Sequence, residues 1–194
     1  MQFQLIKSPQ TLPNSHYRIR SLFSDDLDTL FRLLAQPSLH RFLPGYVCQP
    51  KRYNAYFSML AIQNDQLAEK SVNGVPHCSW VILPPENTPN GACPVGVCTA
   101  VPPDFVVGVL EIGFFLDERH RGKKVTEEVL NWMIDTQLRA TLIHKLSAET
   151  MSTNHASQRV LESIGMQLEV HQQDYYQIGK QYADKLTYGC LLRR

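Results

Sequence analysis

The segment that most limits the fold is FVVGVLEIGFFL, residues 105–116. A strand with one face in water alternates apolar and polar positions, whereas this run is apolar nearly throughout, as a strand in the middle of a sheet is. Gly108 and Gly113 interrupt it, and glycine inside a strand marks a bulge or a close backbone approach. The run leads directly into LDERHRGKKV, residues 116–125, where five basic side chains surround one glycine, and then into TEEVLNWMIDTQL, residues 126–138, with helical spacing. A central strand, a basic turn and a helix therefore follow one another without a linker.

The flanking sequence supplies partners for that unit. YRIRSLF reads as a strand, and Ser24 is the expected N-cap of a helix in which Asp25 and Asp26 face the positive helix end and Leu27, Leu30, Phe31 and Leu34 form the apolar stripe. Pro37 is expected to stop it. RYNAYFSMLAIQNDQLAEK predicts a second helix with Tyr56, Met59, Leu60 and Leu67 on its apolar face. CSWVIL and VGVCTAV, joined by the turn-rich PPENTPNGACP, predict a hairpin; the Pro-rich 84–104 region has no assigned role beyond this. After residue 126 the apolar arc is broad, with Val129, Trp132, Met133 and Thr136 on one side and Leu130, Ile134 and Leu138 widening it, as expected of a helix packed on a sheet. KLSAET is a short strand, NHASQRVLESIG a helix capped by Asn154 and ended by Gly165, and the segments either side of Gly179 form a terminal hairpin. This order predicts an α+β domain with a mixed sheet.

Charged residues make up 19% of the 194 positions and the formal net charge is +1, which excludes a global field drawing the chain to nucleic acid or an anionic membrane. No direct nucleic-acid contact and no membrane partner is expected. The five cysteines are scattered, with no metal-binding spacing, so no metal site is expected and free thiols in a cytoplasmic setting fit best. No long apolar segment predicts export or a membrane span. The length suits one domain, as a monomer or homodimer.

The basic turn has three readings: a solvated charge run, a nucleic-acid footprint, or a cradle for phosphate. A nucleic-acid module would spread its basic residues over a larger face and raise the net charge. A helix beginning at Gly122 would present unpaired N–H groups and the positive end of its dipole, and the missing Cβ lets an oxygen approach the main chain. Arg119, Arg121, Lys123 and Lys124 add charge for a pyrophosphate. Asn154 and Ser157 stand in the first turn of the next helix, so two helix starts are expected side by side at one sheet edge, forming a cleft.

RHRGKKVTEEVL and NHASQRVLESIGM, in this order and separation, resemble the GCN5-related N-acetyltransferases, which use acetyl-coenzyme A. The resemblance covers almost the whole chain and is greatest to the branch that acetylates the N-termini of ribosomal proteins, in which N-x-x-S-x-R-V-L-E-x-x-G and D-Y-Y-x-I-G recur. It implies a GNAT fold: a mostly antiparallel mixed sheet with a parallel splay between the fourth and fifth strands, about four flanking helices, and a single domain over 1–194 with its core at about 16–192. It also implies acetyl-CoA as co-substrate and no metal. The family's phosphate loop falls on Arg119, His120, Arg121, Gly122, Lys123 and Lys124, leading into Val125, while Phe114, Phe115 and Leu116 face the pantetheine arm with backbone groups and Asn154 and Ser157 lie near the pantetheine and the sulfur. Lys124 departs from the family pattern, which has Gly or Ala there; its side chain either clamps a phosphate or obstructs it.

Amine acetylation needs a neutral nucleophile and a proton for the departing thiolate. A protein amino terminus has a pKa near 7.7–8.0, so one carboxylate suffices as base. Glu111 is the first candidate by resemblance, set against a strand carboxylate on a solvated face, with Asp174 second and Glu149 third. Ser157 matches the branch's serine that meets the sulfur as general acid, set against a first-turn serine bonded to backbone. His144, His155 and His171 read as surface residues, and Trp80 and Trp132 as core. The expected acceptor is a peptide or protein α-amino group; the alternatives are a small amine (polyamine, amino acid or antibiotic) and a degenerate coenzyme-binding member without activity.

Overall fold

The computed structural model describes residues 5–69, 78–89, 91–103, 106–138 and 142–192. Asp104 and Phe105 at the head of the apolar run, Asn90 in the predicted turn and Lys70 at the end of the second predicted helix lie outside the described residues. The strands are β1 (Gln10–Thr11), β2 (Arg18–Ser21), β3 (Cys78–Leu83), β4 (Gly96–Val101), β5 (Val109–Leu116), β6 (Lys145–Met151), β7 (Gln167–Ile178) and β8 (Gln181–Leu191). The helices are α1 (Leu27–Leu34), α2 (Pro37–His40), α3 (Pro44–Cys48), α4 (Pro50–Glu69), α5 (Val125–Trp132) and α6 (His155–Ser163). Among the described residues six helices flank the sheet, of which α2 and α3 are short segments, each opened by a proline whose fixed φ suits a first helical turn.

The sheet runs β1-β2-β3-β4-β5-β6-β8-β7, and every neighbouring pair is antiparallel except β5 and β6. The parallel pair is the predicted one; the two-residue β1 advances the strand count by one. β5 is central, as its composition predicts, with β4 bonded along Glu111–Leu116 and β6 along Val109–Glu111 only. Among the described residues, β5 has no strand partner on its β6 side from Ile112 onward.

Two cores cover the two faces. On one, Leu110, Ile112, Leu146, Ala148, Leu186 and Tyr188 of the sheet meet Val129, Leu130, Met133 and Leu161 of the α5 and α6 region. On the other, Val81, Leu83 and Val97 meet Leu30, Leu34, Phe57, Leu60 and Ala61 of α1 and α4. The stripe of α4 is thus Phe57, Leu60, Ala61 and the buried Asn64, which donates to the Leu22 and Ser79 carbonyls; Met59, predicted to face inward, is exposed. α5 continues as a π-helix from Met133 to Leu138, and the five-residue repeat explains why both of those residues are buried while Thr136 turns outward and donates to the Trp132 carbonyl. Trp80 and Trp132 meet edge to face in the core. At the start of α1, Ser24 does not cap: it lies inside a 3-10 turn, and Asp26 reaches back to accept from the Phe23 N–H. Asn154 does cap α6, accepting from the Ser157 N–H at 3.2 Å. Among the described residues, no helix is long and apolar enough to cross a membrane.

The β4–β5 register depends on a close approach at Gly96, opposite Leu116, where a Cβ would lie 2.6 Å from the Phe115 carbonyl oxygen. Gly96→Ala should lower stability by about 2–3 kcal/mol, a fall in Tm of roughly 5–10 °C readable by calorimetry; an unchanged Tm would show that the strands part without cost.

Candidate active site

Parting of β5 from β6 creates the site. In an antiparallel ladder each residue turns its N–H and C=O to the same side and the next residue turns them to the other. The Asp117 N–H donates to the Val95 carbonyl, so Asp117, Phe115 and Gly113 face β4, and Leu116, Phe114 and Ile112 face the gap. Phe114 therefore offers its backbone groups to the gap. The Leu116 carbonyl is already taken by Arg121 Nε at 3.0 Å, and Phe115 turns its backbone to β4 and its ring to Phe57.

The basic turn divides into two groups of residues. Arg119 is drawn back onto Asp117, whose carboxylate accepts from the Arg119 amide at 2.9 Å and from Nε and Nη2 at 3.0 and 2.7 Å, while Gln36 adds a fourth donor at 2.8 Å. Asp117 is fully buried, and the Arg119 bonds hold its carboxyl well below the usual carboxylate range against the opposing effect of burial. His120 pairs through Nδ1 with the buried Tyr17 hydroxyl at 2.7 Å; burial, helped by Lys123 and Arg119, lowers its pKa and favours the neutral ring. Arg119, His120 and Arg121 thus fasten the turn to the fold. Lys123 and Lys124 stand exposed and form no ion pair among the described residues.

The helix begins at Val125, not at Gly122 as expected from the sequence, because both Gly122 (φ 76) and Lys124 (φ 56) are left-handed. The first intrahelical bond runs from the Glu128 N–H to the Lys124 carbonyl, leaving the amides of Val125, Thr126 and Glu127 without helical acceptors. Nothing lies within 4 Å of a Cβ built on Gly122. Lys124 is exposed, and its left-handed backbone carries a strain that glycine there would not. Glu128 secures the same helix start by accepting from the Asn14 and Ser15 amides. α6 opens just past the end of β6, as α5 does past β5, so both helix starts lie at one sheet edge beside the gap. Asn154 Oδ1 is occupied as the cap, and Ser157 is partly exposed in the first turn.

Across the sheet from α5 and α6, a polar cluster lines the other face. Glu111, half-buried, has its pKa raised by burial first and by the Glu149 carboxylate second, with Lys185 opposing. Lys185 is buried and donates to Glu149 Oε1 at 2.8 Å, with its ammonium 4.1 Å from the centroid of the Tyr175 ring. Tyr176 is pushed up to about 12 by burial, with Glu149, Tyr175, Tyr53 and Glu111 adding to it. Tyr56 on α4 is raised by burial, and there the Thr99 hydroxyl opposes while Glu111 adds. Asp174 stands elsewhere: it is exposed and left-handed (φ 49) at an irregularity of the outermost strand, and its amide donates to Asp184, which also binds His171. The structure therefore brings Glu111 and Glu149 together and leaves Asp174 outside their cluster.

Asp117, Tyr17, Gln36 and Lys185 are not singled out by sequence reasoning. An aspartate between an apolar strand and an arginine-rich turn is a usable signal for the first; the others depend on contacts from distant segments. Relief of the left-handed backbone should make Lys124→Gly more stable by up to about 1 kcal/mol, whereas a β-branched Lys124→Val should lose about 1–2 kcal/mol. Chemical denaturation of the three proteins checks this, and equal midpoints would contradict it.

Residues 16–167 match the family described as the Acetyltransferase (GNAT) domain. A curated relative, the probable N-acetyltransferase YjcK of Bacillus subtilis (strain 168), is 36% identical over 58 residues, 30% of this chain and 32% of the relative. The matched part thus spans about a third of the curated relative's length. Among solved structures, the ribosomal-protein-S5-alanine acetyltransferase from Vibrio fischeri aligns over 95% of this chain and 97% of its own, with a TM-score of 0.69 and 18% identity. The Salmonella typhimurium acetyl transferase that modifies the N-terminal serine of ribosomal protein L7/L12 aligns over 94% and 99%, with 0.70 and 16%. The spermidine N-acetyltransferase from Vibrio cholerae, in complex with CoA and spermine, aligns over 92% and 97%, with 0.68 and 16%. At these identities the solved structures establish the fold alone. The family match, by contrast, runs from the residue before Tyr17 through the strand, turn and helix of the site to the first residue of β7, and the chain belongs to the GNAT acetyltransferase family.

Proposed function

We propose that the chain, acting as one domain, is an acetyl-CoA-dependent N-acetyltransferase whose acceptor is a peptide or protein N-terminal α-amino group. The observation that carries the reading is the gap between β5 and β6, bordered by the Phe114 backbone and by the unpaired amides at the start of α5. Those amides and the exposed ammonium groups of Lys123 and Lys124 suit a pyrophosphate, and the backbone groups of Phe114 suit an extended amide-containing arm docking as a strand would. Asn154 acts by holding the first turn of α6, and with it Ser157, at the same edge.

In the transfer, the amine nitrogen forms a bond to the acetyl carbon and the carbon–sulfur bond breaks. The amine gives up a proton and the departing thiolate takes one. Glu111 is the base: its raised pKa brings a carboxylate closer to that of an α-amine, so proton transfer is better matched than with an ordinary glutamate. The Ser157 hydroxyl, in the first turn beside the gap, supplies the proton to sulfur. A small amine is the second reading, favoured by the juxtaposition of Glu111 and Glu149. The free cysteines support a cytoplasmic setting, and the enzyme acts as a monomer or homodimer.

Thiol release from acetyl-CoA, followed with N-terminal peptides and with small amines, tests the reading. Because the base works ionised, kcat/KM should rise with pH through the raised Glu111 pKa; Glu111→Gln should remove that rise and lower kcat/KM by about 10²-fold. Ser157→Ala should lower kcat more than it weakens coenzyme binding, and an unchanged kcat would remove Ser157 from the reaction. If acetyl-CoA raises the Tm but no amine elicits thiol release, the chain is a binding member of the family and not an enzyme.

A further inference from the structure

We propose that Lys185 sets the charge of the acceptor side of this site, pairing with Glu149 and leaving Glu111 as a carboxylate with no ion pair among the described residues, and thereby selects an acceptor with a single ammonium group over a polyamine. The inference rests on the acetyltransferase reading above and specifies its substrate class. Glu149 sits two residues past Ser147, the β6 partner of Glu111, so both carboxylates project from the same face of adjacent strands. Side by side they would form a doubly negative pocket suited to a polycation. Lys185 alters this: its ammonium, buried on β8, donates to Glu149 at 2.8 Å and is held from the other side by the Tyr175 ring.

A lysine is expensive to bury unless it is paired. Pairing with Glu149 and the neighbouring Tyr175 raises its pKa despite burial, so the compensating charge is permanent at neutral pH. Among the described residues, the other groups coupled to Glu111 and Glu149 bring no further negative charge. Tyr53 and Tyr56 on α4, and Tyr176 on β7, are tyrosines held neutral by raised pKa values, and Thr99 on β4 is uncharged. Asp184, next to Lys185 in sequence, is committed to His171 and the Asp174 amide. One ammonium of an acceptor can therefore be matched by Glu111. A second or third ammonium would meet Lys185 in place of an open carboxylate.

Lys185 acts through Glu149 and Glu111 and is a positioning residue, so its test reads selectivity and pH dependence. Acetyl transfer to an N-terminal peptide and to spermidine is measured for the wild type, Lys185→Gln and Lys185→Arg. The wild type should prefer the peptide. Lys185→Gln should lower the KM for spermidine at least about tenfold, from the exposed second carboxylate, with the peptide KM changed less than about threefold. It should also move the rising limb of the pH profile to higher pH, because the group that opposes the raised Glu111 pKa is gone. Lys185→Arg, which keeps the charge, should restore both. Should Lys185→Gln fail to fold, Glu149→Gln gives shifts of opposite sign, a higher spermidine KM and a limb at lower pH. Transfer by the wild type to neither acceptor would overturn the acetyltransferase reading and this inference with it. Transfer with spermidine preferred by the wild type, or with selectivity and pH limb unmoved in the variants, would overturn the role of Lys185 alone.

Discussion

The functional architecture depends on β5 keeping β4 and losing β6. Three residue pairs of parallel ladder, from Val109 with Lys145 to Glu111 with Ser147, tie the two strands; beyond them β5 is held from one side only. Unpaired backbone groups inside a protein are costly unless something bonds them, so a sheet that opens in its middle has room for a ligand built like a strand. The structure can hold this opening because β4 remains fully paired through Leu116 and because β8 takes over the far side of β6. The same parting brings both parallel strands to the start of a helix at one edge, α5 after β5 and α6 after β6.

A second constraint keeps the turn above the gap in place. Asp117 is the first residue beyond β5 and has no solvent exposure, yet it is ionised, because four donors from Arg119 and Gln36 converge on it. With Tyr17 on His120 and the Leu116 carbonyl on Arg121, three of the five basic groups become fasteners, while the exposed Lys123 and Lys124 form no ion pair among the described residues. What looks in sequence like one basic cluster is thus a fastened frame carrying two lysines that are unpaired among the described residues. Charge on the opposite face of the sheet is managed in a comparable way, through the pairing of Lys185 with Glu149.

Much of this is legible in the sequence because it is local. The nearly continuous apolar character of residues 109–116, interrupted only by Glu111 and Gly113, is enough to place β5 in the sheet interior, and the Asn154 cap with Gly165 brackets α6. Where reading fails, the deciding contacts are distant. Residues Met59 and Phe57 suit an apolar stripe equally well by spacing, and only the sheet beneath α4 selects Phe57. The left-handed turn at Lys124, which moves the helix start from Gly122 to Val125, is a backbone state that a lysine does not advertise. Lys185 sits in an alternating segment where a lysine reads as solvated, and it becomes a buried cation only through β6 and β7. The roles proposed for Glu111 and Ser157 rest on family resemblance; the structure adds the burial and the Glu149 carboxylate that raise the Glu111 pKa.

The gap between β5 and β6, together with the left-handed turn before α5, is the proposed binding place of the coenzyme. Hydrogen exchange with and without acetyl-CoA tests it directly, since amides that bond a ligand exchange more slowly. The account predicts protection concentrated at Phe114 and over Gly122–Glu127, with little change in β1 to β3. Binding that leaves those amides unprotected, or no protection anywhere at millimolar acetyl-CoA, would contradict it.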